Sequence, residues 1–207
     1  NLFITGLGNV GGELLSLIHN NDHDKKINIK VLGISNSKNM CFNPNGIDLS
    51  NWKNLLINGK KNNREEFIKK IINYKIKNCV FVDNTSSETI SNEYINYLNK
   101  GVSVVTCNKI ASSSILEKYN KLKNISKIKN VSFLYETNVG SSLPVIETLN
   151  KLILSGDKVI SIKAILSGSL NYIFNNFKDE NTFHNVIDKA KKLGLTEPNP
   201  NTDLSGI

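Results

Sequence analysis

The chain has 207 residues, enough for one full domain and part of a second, and 39% of them are hydrophobic. Its net charge of +8 comes from 26 basic residues that are spread along the chain and include a single arginine, Arg64, which argues against a specific nucleic-acid partner. No apolar run reaches the roughly 20 residues of a membrane span and nothing resembles a signal peptide, so we expect a cytoplasmic protein without a membrane partner.

The first two thirds of the chain alternate short apolar runs with helical patterns. Strands are predicted at residues 1–5, 29–35, 79–82, 102–106 and 131–135. Helices are predicted after residue 11, around residues 67–72, through residues 90–98 with an end at Gly101, and at residues 114–122. Residues 36–63 are predicted to be irregular except near Trp52. This alternation is typical of an α/β fold with a Rossmann-type, doubly wound parallel sheet.

The pattern changes from residue 136 onward. A helix is predicted at 145–152, a strand with alternating faces at 158–166, helices at 169–177 and 182–193, and a loop stiffened by Pro198 and Pro200 after them. We therefore predict a first domain at residues 1–135 and the beginning of a second, α+β domain at residues 136–207. The abrupt start within a strand-like run, without methionine, suggests a piece of a longer polypeptide.

A glycine motif follows the first predicted strand. Gly6, Gly8 and Gly11 form GxGxxG between a strand and a helix, the context of the dinucleotide-binding fingerprint. The glycines allow a tight turn, a close approach of the backbone to pyrophosphate, and close packing of strand on helix, while the helix N-terminus attracts phosphate. A purely structural glycine turn is the competing interpretation.

The end of the second predicted strand bears on the choice of cofactor. A site for NAD usually has an acid there, whereas a site for NADP has a cation instead. The chain has no acid at this place but has Ser37 and Lys38, which could both contact a 2′-phosphate. The sequence therefore favours NADP (NADPH), with NAD as the alternative; Lys38 could also be one more exposed lysine.

Two more strands end in polar loops. Thr85 and Ser86 follow the strand at 79–82, and Lys109 follows the strand at 102–106. Ligands of such sheets bind at the carboxyl ends of the strands, so these side chains are expected near the nicotinamide and its ribose. Thr85 and Ser86 could instead cap a helix that starts at Glu88.

The end of the chain carries two acids, Glu197 and Asp203, in the loop stiffened by proline. Paired carboxylates suit a small cationic group such as the ammonium of an amino acid. A solvated, asparagine-rich turn is the competing interpretation.

Several segments together resemble one enzyme family, homoserine dehydrogenase. They occur in the same order across the whole chain: GLGNVGG, VDNTSSE, VVTCNKIA, YETNVGSSLPVIETL, ILSGSLNYIFN and GLTEPNPNTDLSG. VLGISNSK and GIDLSNW are similar to the dehydrogenase part of bifunctional aspartokinase/homoserine dehydrogenases. That resemblance would place an aspartokinase domain in the same polypeptide.

The resemblance implies roles for individual residues. It assigns the pyrophosphate loop to Gly6, Gly8, Asn9, Val10 and Gly11. It implies nicotinamide-side contacts for Thr85 and Lys109, a further cofactor contact for Gly194, and substrate positioning for Glu197 and Asp203. It also implies a structural site for a monovalent cation, Na⁺ or K⁺, formed by carbonyls of Glu136, Val139, Ser141 and Leu143.

The implied reaction is the NADPH-dependent reduction of L-aspartate 4-semialdehyde to L-homoserine, in threonine and methionine biosynthesis, by a homodimer or higher homo-oligomer. Residues 1–135 would bind NADP, and residues 136–207 would begin a substrate-binding and dimerisation domain. Within this chain Lys109 is the candidate catalytic group, since an ammonium can stabilise the developing oxyanion and supply a proton.

The chain departs from the family's pattern at a few positions. It has Cys107 where the family usually has proline, and Ser141-Ser142 where the family has a small residue and glycine. The chain reaches Ile207 before the aspartate and lysine that the family places after this segment. Two alternatives follow: an NADP-binding fragment without turnover, and a thiol-dependent semialdehyde dehydrogenase acting through Cys107, for which no histidine motif is found.

Overall fold

The computed structural model describes residues 1–20, 28–73, 77–178, 182–196 and 199–205. Contacts divide the chain into two compact units, Asn1–Asn138 and Val139–Ile207. The assignment of a cofactor domain to residues 1–135 and a substrate domain to residues 136–207 stays a prediction. Among the described residues, no helix combines the length and the apolar character that crossing a bilayer requires.

The first unit is built around one sheet of seven strands. In chain order they are β1 (Leu2–Thr5), β2 (Val31–Ser35), β3 (Asn39–Phe42), β4 (Lys60–Lys61), β5 (Val80–Asp83), β6 (Ser103–Thr106) and β7 (Phe133–Leu134). They lie side by side in the order β4-β3-β2-β1-β5-β6-β7. β2, β1, β5, β6 and β7 are mutually parallel, while β3 and β4 are antiparallel additions at one edge. The predicted α/β fold with a doubly wound parallel sheet is thus confirmed, and the antiparallel strands β3 and β4 add to it at one edge.

Helices cover both faces of this sheet. They are α1 (Asn9–Asn20), α2 (Trp52–Ile57), α3 (Arg64–Asn73), α4 (Glu88–Asn92), α5 (Tyr94–Asn99) and α6 (Leu116–Lys129). Neighbouring strand residues point to opposite faces, so Phe3 of β1 packs in the core with α3, α5 and α6, whereas Ile4 packs in the core with α1 and α2. Both side chains are fully buried, as expected for a doubly wound fold.

The second unit contains four helices among its described residues: α7 (Val145–Leu154), α8 (Gly168–Asn176), α9 (Phe183–Lys192) and α10 (Pro200–Ser205). Its small core is formed by Ile173, Val186 and Ala190, where α8 and α9 meet. Pro200 begins α10, a position that suits proline because the first helical N–H has no intrahelical acceptor. The prediction of a loop is therefore wrong for residues 200–205.

Four other details differ from the sequence predictions. The segment 36–63, predicted to be irregular, contains β3 and β4. The predicted helix over 90–98 is two short helices that meet at Glu93. The helix predicted at 114–122 runs instead from Leu116 to Lys129. The strand predicted at 158–166 is wrong: the alternating pattern is present, but the segment pairs with no other described segment, and Ile160 is 96% exposed.

Candidate functional site

The glycine loop joins β1 to α1 with almost no spare room. Gly6 has a φ of +84°, and a Cβ added there would lie 2.7 Å from the backbone of Asn84. A Cβ on Gly11 would lie 2.1 Å from the carbonyl oxygen of Gly6, which is closer than any real contact. Gly8 has no neighbouring atom within 4 Å of such a Cβ, so its backbone borders open space. The three glycines thus allow the turn, the ligand approach and the close helix packing that the fingerprint requires.

An open cleft of about 580 Å³ lies beside this loop, at the carboxyl ends of β1, β2 and β5. It is lined in part by the glycine loop, by residues after β2 and β5, and by the segment that leads into α3. The lining residues include Gly6, Gly8, Asn36, Ser37, Asn62, Arg64, Asn84, Thr85 and Ser86. The sheet order changes direction at β1, and such switch points are where nucleotides bind. The cleft is therefore the right size and in the right place for a dinucleotide.

A buried carboxylate fixes the loops that follow β5 and β6. Asp83 is fully buried, and its carboxylate accepts hydrogen bonds from the Thr85 amide (2.8 Å), the Tyr94 hydroxyl (2.5 Å) and the Asn108 Nδ2 (3.1 Å). Burial, and then the Asp83 carboxylate, raise the pKa of Tyr94, so its hydroxyl stays protonated as a donor. The network holds both loops in one arrangement.

The helix cap in this region is Ser87. Its hydroxyl accepts a hydrogen bond from the Ile90 amide and thereby caps the N-terminus of α4. The Thr85 hydroxyl in turn accepts a hydrogen bond from the Ser87 amide. The competing interpretation of Thr85 and Ser86 as the helix caps is therefore wrong, because Ser87 occupies that position. Both Thr85 and Ser86 line the cleft.

The predicted cofactor-reading residues after β2 lie in a tight turn. The side-chain oxygen of Asn36 accepts hydrogen bonds from the amides of Lys38 (2.8 Å) and Asn39 (2.7 Å). Ser37 lines the cleft, whereas Lys38 is exposed and is not among the lining residues. Asn62 and Arg64 line the same cleft but were not predicted from the sequence. The only feature that could have drawn attention to them is that Arg64 is the single arginine of the chain.

Lys109 begins a turn after β6. Its carbonyl oxygen accepts hydrogen bonds from the Ser112 and Ser113 hydroxyls, both at 2.9 Å, and its side chain is exposed. It does not line the 580 Å³ cleft. Asn9 and Val10, the first residues of α1, are likewise exposed and lie outside the lining set.

The remaining predicted residues can be described only locally. In the second unit, Asp203 accepts a hydrogen bond from the Ser169 hydroxyl at 2.7 Å. Gly194 lies two residues after the end of α9 and has a φ of +69°. Glu197 lies outside the described residues. Of the predicted cation-binding residues, Glu136 belongs to a single 3₁₀ turn of the first unit, while Val139, Ser141 and Leu143 belong to the second.

Comparison with known protein families shows which family the chain belongs to. A family model for the NAD-binding domain of homoserine dehydrogenase matches residues 6–136, and a model for homoserine dehydrogenase matches residues 144–207. The chain belongs to the homoserine dehydrogenase family. It therefore belongs to a family of NAD(P)-dependent oxidoreductases, and its first unit has the family's NAD(P)-binding fold.

Individual relatives agree with this membership. The chain is 43% identical to a bifunctional aspartokinase/homoserine dehydrogenase of Buchnera aphidicola, covering 100% of this chain and 26% of that protein. It is 34% identical to the homoserine dehydrogenase of Schizosaccharomyces pombe, covering 100% of this chain and 58% of that protein. A hyperthermophilic archaeal homoserine dehydrogenase in complex with NADPH superposes with a TM-score of 0.82 at 26% identity, over 100% of this chain and 65% of that one. The chain thus spans about a quarter of the bifunctional relative.

The structure gives no support to the alternative of a thiol-dependent semialdehyde dehydrogenase acting through Cys107. Burial raises the pKa of the Cys107 thiol, and the nearby Asp83 carboxylate raises it further. The thiol donates a weak hydrogen bond to Asn84 Oδ1 at 3.8 Å. A nucleophilic cysteine needs the opposite environment, one that stabilises the thiolate.

Proposed function

We propose that this chain is the cofactor-binding and substrate-binding part of an enzyme that interconverts L-aspartate 4-semialdehyde and L-homoserine with NADP. The observation that carries the proposal is the glycine loop, where Gly8 opens onto the cleft while Gly6 and Gly11 leave no room for a side chain. These residues fit a dinucleotide, because backbone amides at a helix N-terminus are suited to pyrophosphate. A bound reduced nicotinamide supplies the hydride for the aldehyde carbon.

The chain's own residues orient the reactants in this proposal. Thr85, held by Asp83, borders the nicotinamide end of the cleft. Lys109 is the group in this chain that can hold a proton for the aldehyde oxygen. Asp203, positioned by Ser169, and Glu197 would pair with the substrate's ammonium group. Ser37 and Lys38 would contact the 2′-phosphate, since no acid occupies this turn.

The proposal extends to assembly, location and a bound ion. We propose a cytoplasmic homo-oligomer, an aspartokinase domain in the same polypeptide, and a structural Na⁺ or K⁺ bound by carbonyls of Glu136, Val139, Ser141 and Leu143. Carbonyl oxygens are hard donors, which fit an alkali cation. The aspartokinase proposal is supported by the bifunctional relatives.

The test is NADP⁺-dependent oxidation of L-homoserine by the chain, followed by NADPH absorbance, with NADP⁺ and NAD⁺ binding titrated in parallel. Lys38→Gln is expected to weaken NADP⁺ binding and to leave NAD⁺ binding unchanged. Lys61→Gln, at an exposed lysine of β4, is the matched control for lost charge. Binding without turnover would favour the alternative of a cofactor-holding fragment, and absence of nucleotide binding by the folded chain would refute the proposal.

A further inference from the structure

One residue that lines the cleft carries a buried acceptor without a partner among the described residues. Asn62 precedes α3, and its Oδ1 is buried without a hydrogen-bond partner among the described residues. The orientation of its amide is fixed, because Nδ2 donates to the carbonyl oxygen of Asn36 at 2.6 Å. A flipped amide would bring two acceptors together there, so the free atom is an oxygen. Buried polar atoms are usually satisfied, and the residue that carries this one lines the cleft.

Asn62 also supports the turn at the end of β2. Its backbone amide donates to the carbonyl oxygen of Lys38 at 2.7 Å, while its side chain bonds Asn36. Asn62 thus bonds two carbonyl groups of the turn. The Asn36 side chain holds the same turn together by accepting hydrogen bonds from the Lys38 and Asn39 amides. In doubly wound folds the end of the second strand is where the adenosine ribose is recognised. The free oxygen therefore lies next to the expected adenosine position.

A second residue that lines the cleft carries an unpartnered atom of the opposite polarity. Asn84 Nδ2 is a buried donor without a partner among the described residues, and it lies 3.2 Å from where a Cβ on Gly11 would be. Two residues that line the cleft thus carry an unpartnered donor beside the glycine loop and an unpartnered acceptor beside the β2 turn. An adenosine diphosphate group matches this pair, since its phosphates accept hydrogen bonds and its hydroxyl and amino groups donate them.

The Arg64 guanidinium does not satisfy Asn62. Arg64, two residues later, directs its Nε and Nη2 to the carboxylate of Glu93 and its Nη1 to the Thr5 hydroxyl. Those contacts engage the guanidinium of a residue that lines the cleft. A bound ligand is therefore the natural source of the missing donor.

We infer that Asn62 is a specificity-determining residue, whose Oδ1 accepts a hydrogen bond from a neutral donor of the cofactor's adenosine half. That donor is a ribose hydroxyl or the adenine amino group. The inference rests on the proposed dinucleotide function. If the donor is the 2′-hydroxyl, the site is matched to NAD, because NADP carries a phosphate there. The 3′-hydroxyl and the amino group are common to both cofactors.

The experiment is a thermodynamic cycle between protein and ligand. Binding of four nucleotides to the chain is measured by titration calorimetry: ADP, 2′-deoxy-ADP, 3′-deoxy-ADP and inosine diphosphate, which has a carbonyl in place of the amino group. The proteins are the wild type, Asn62→Leu, Asn62→Asp and the control Asn39→Leu. Asn39, the first residue of β3, donates a side-chain hydrogen bond to the Ile57 carbonyl of α2 (3.1 Å) but does not line the cleft.

The wild type and Asn39→Leu should lose roughly 3- to 10-fold in affinity when the ligand lacks the recognised donor. Asn62→Leu should bind all four ligands within about twofold of one another. Asn62→Asp keeps an acceptor but loses the hydrogen bond to Asn36, so it should still discriminate among the four nucleotides. This variant also tests the inference if Asn62→Leu does not fold. The ligand that shows the coupling identifies the donor.

Two outcomes would overturn the inference. Equal discrimination by the wild type and Asn62→Leu would mean that Asn62 acts only by supporting the turn, although ADP binding would still uphold the proposed dinucleotide site. Loss of discrimination in both Asn62→Leu and Asn62→Asp would likewise show that the support of the turn matters and the acceptor does not. Failure of the folded wild type to bind ADP or NADP would refute the proposed function itself.

Discussion

The guanidinium of Arg64 and the carboxylate of Glu93 form a two-point ion pair that joins the start of α3 to the junction of α4 and α5. Nε donates to Oε1 at 3.3 Å, and Nη2 pairs with Oε2. The Arg64 and Glu93 side chains are 22% and 12% exposed, and the guanidinium also lies over the Phe67 ring. The single arginine of the chain therefore has a structural role beside the cleft that it lines.

Arg64→Met should destabilise the protein, because it leaves the Glu93 carboxylate largely buried without its cation. Breaking a buried pair from one side costs about 3–5 kcal/mol. Urea unfolding would measure the loss. Lys151→Met, which removes the exposed pair with Glu147, is the control and should cost less than about 1 kcal/mol. Similar costs for the two variants would contradict the assigned role of Arg64.

Tyr94→Phe should weaken the network around Asp83. The substitution removes the hydroxyl that donates to the carboxylate and meets the Thr106 hydroxyl at 2.8 Å. Asp83 Oδ2 keeps the Asn108 Nδ2 donor, but the loss of one hydrogen bond to a charged group costs about 1.5–3 kcal/mol, which thermal or urea unfolding would detect. Tyr119→Phe removes a less buried hydroxyl bond to Tyr135 and should cost less. An unchanged free energy of unfolding in Tyr94→Phe would show that Asp83 does not depend on this donor.

Two glycine substitutions should separate folding from binding. Gly11→Ala should destabilise the fold, since its methyl group would meet the Gly6 carbonyl oxygen. Gly8→Ala should leave the melting temperature nearly unchanged but weaken NADP⁺ binding roughly tenfold or more, because its methyl group would project into open space at the cleft. Melting curves and titrations on the same samples provide the comparison. Unchanged binding by Gly8→Ala would argue against pyrophosphate at this loop.

Alkylation of Cys107 should be slow at neutral pH. Burial and then Asp83 raise the pKa of this thiol, so the reactive thiolate is scarce below that pKa and becomes abundant only as the pH rises through it. Mass spectrometry after iodoacetamide treatment across pH 7–10 would measure the rate. Cys107→Ala is expected to retain nucleotide binding. Fast modification at pH 7 would restore the thiol-dependent alternative.

The sequence predicted the alternation of the parallel strands well, since buried runs such as 79–82 and 102–106 carry a strong local signal. β3 and β4 were missed because they are four and two residues long within an asparagine-rich segment. The strand predicted at 158–166 failed for the opposite reason, because an alternating pattern becomes a strand only when a partner supplies the hydrogen bonds.

For the site, GxGxxG fixed the glycine loop because all its parts are local. Asn62 and Arg64 were missed because they reach the cleft from 26 and 28 residues beyond Asn36, through the β3–β4 pair that the sequence did not predict. Their contribution depends on tertiary packing. No spacing rule indicates it.

The shared carboxylate of Asp83 has a consequence for engineering the cofactor preference or the reaction. Because one buried group anchors the segments that begin at Thr85 and at Asn108, neither loop can be exchanged as a separate module. A graft taken from a related enzyme would have to carry both segments together with the tyrosine at position 94. Loop transplantation that respects this triple unit should preserve the architecture, whereas single-loop swaps should yield poorly folded chimeras.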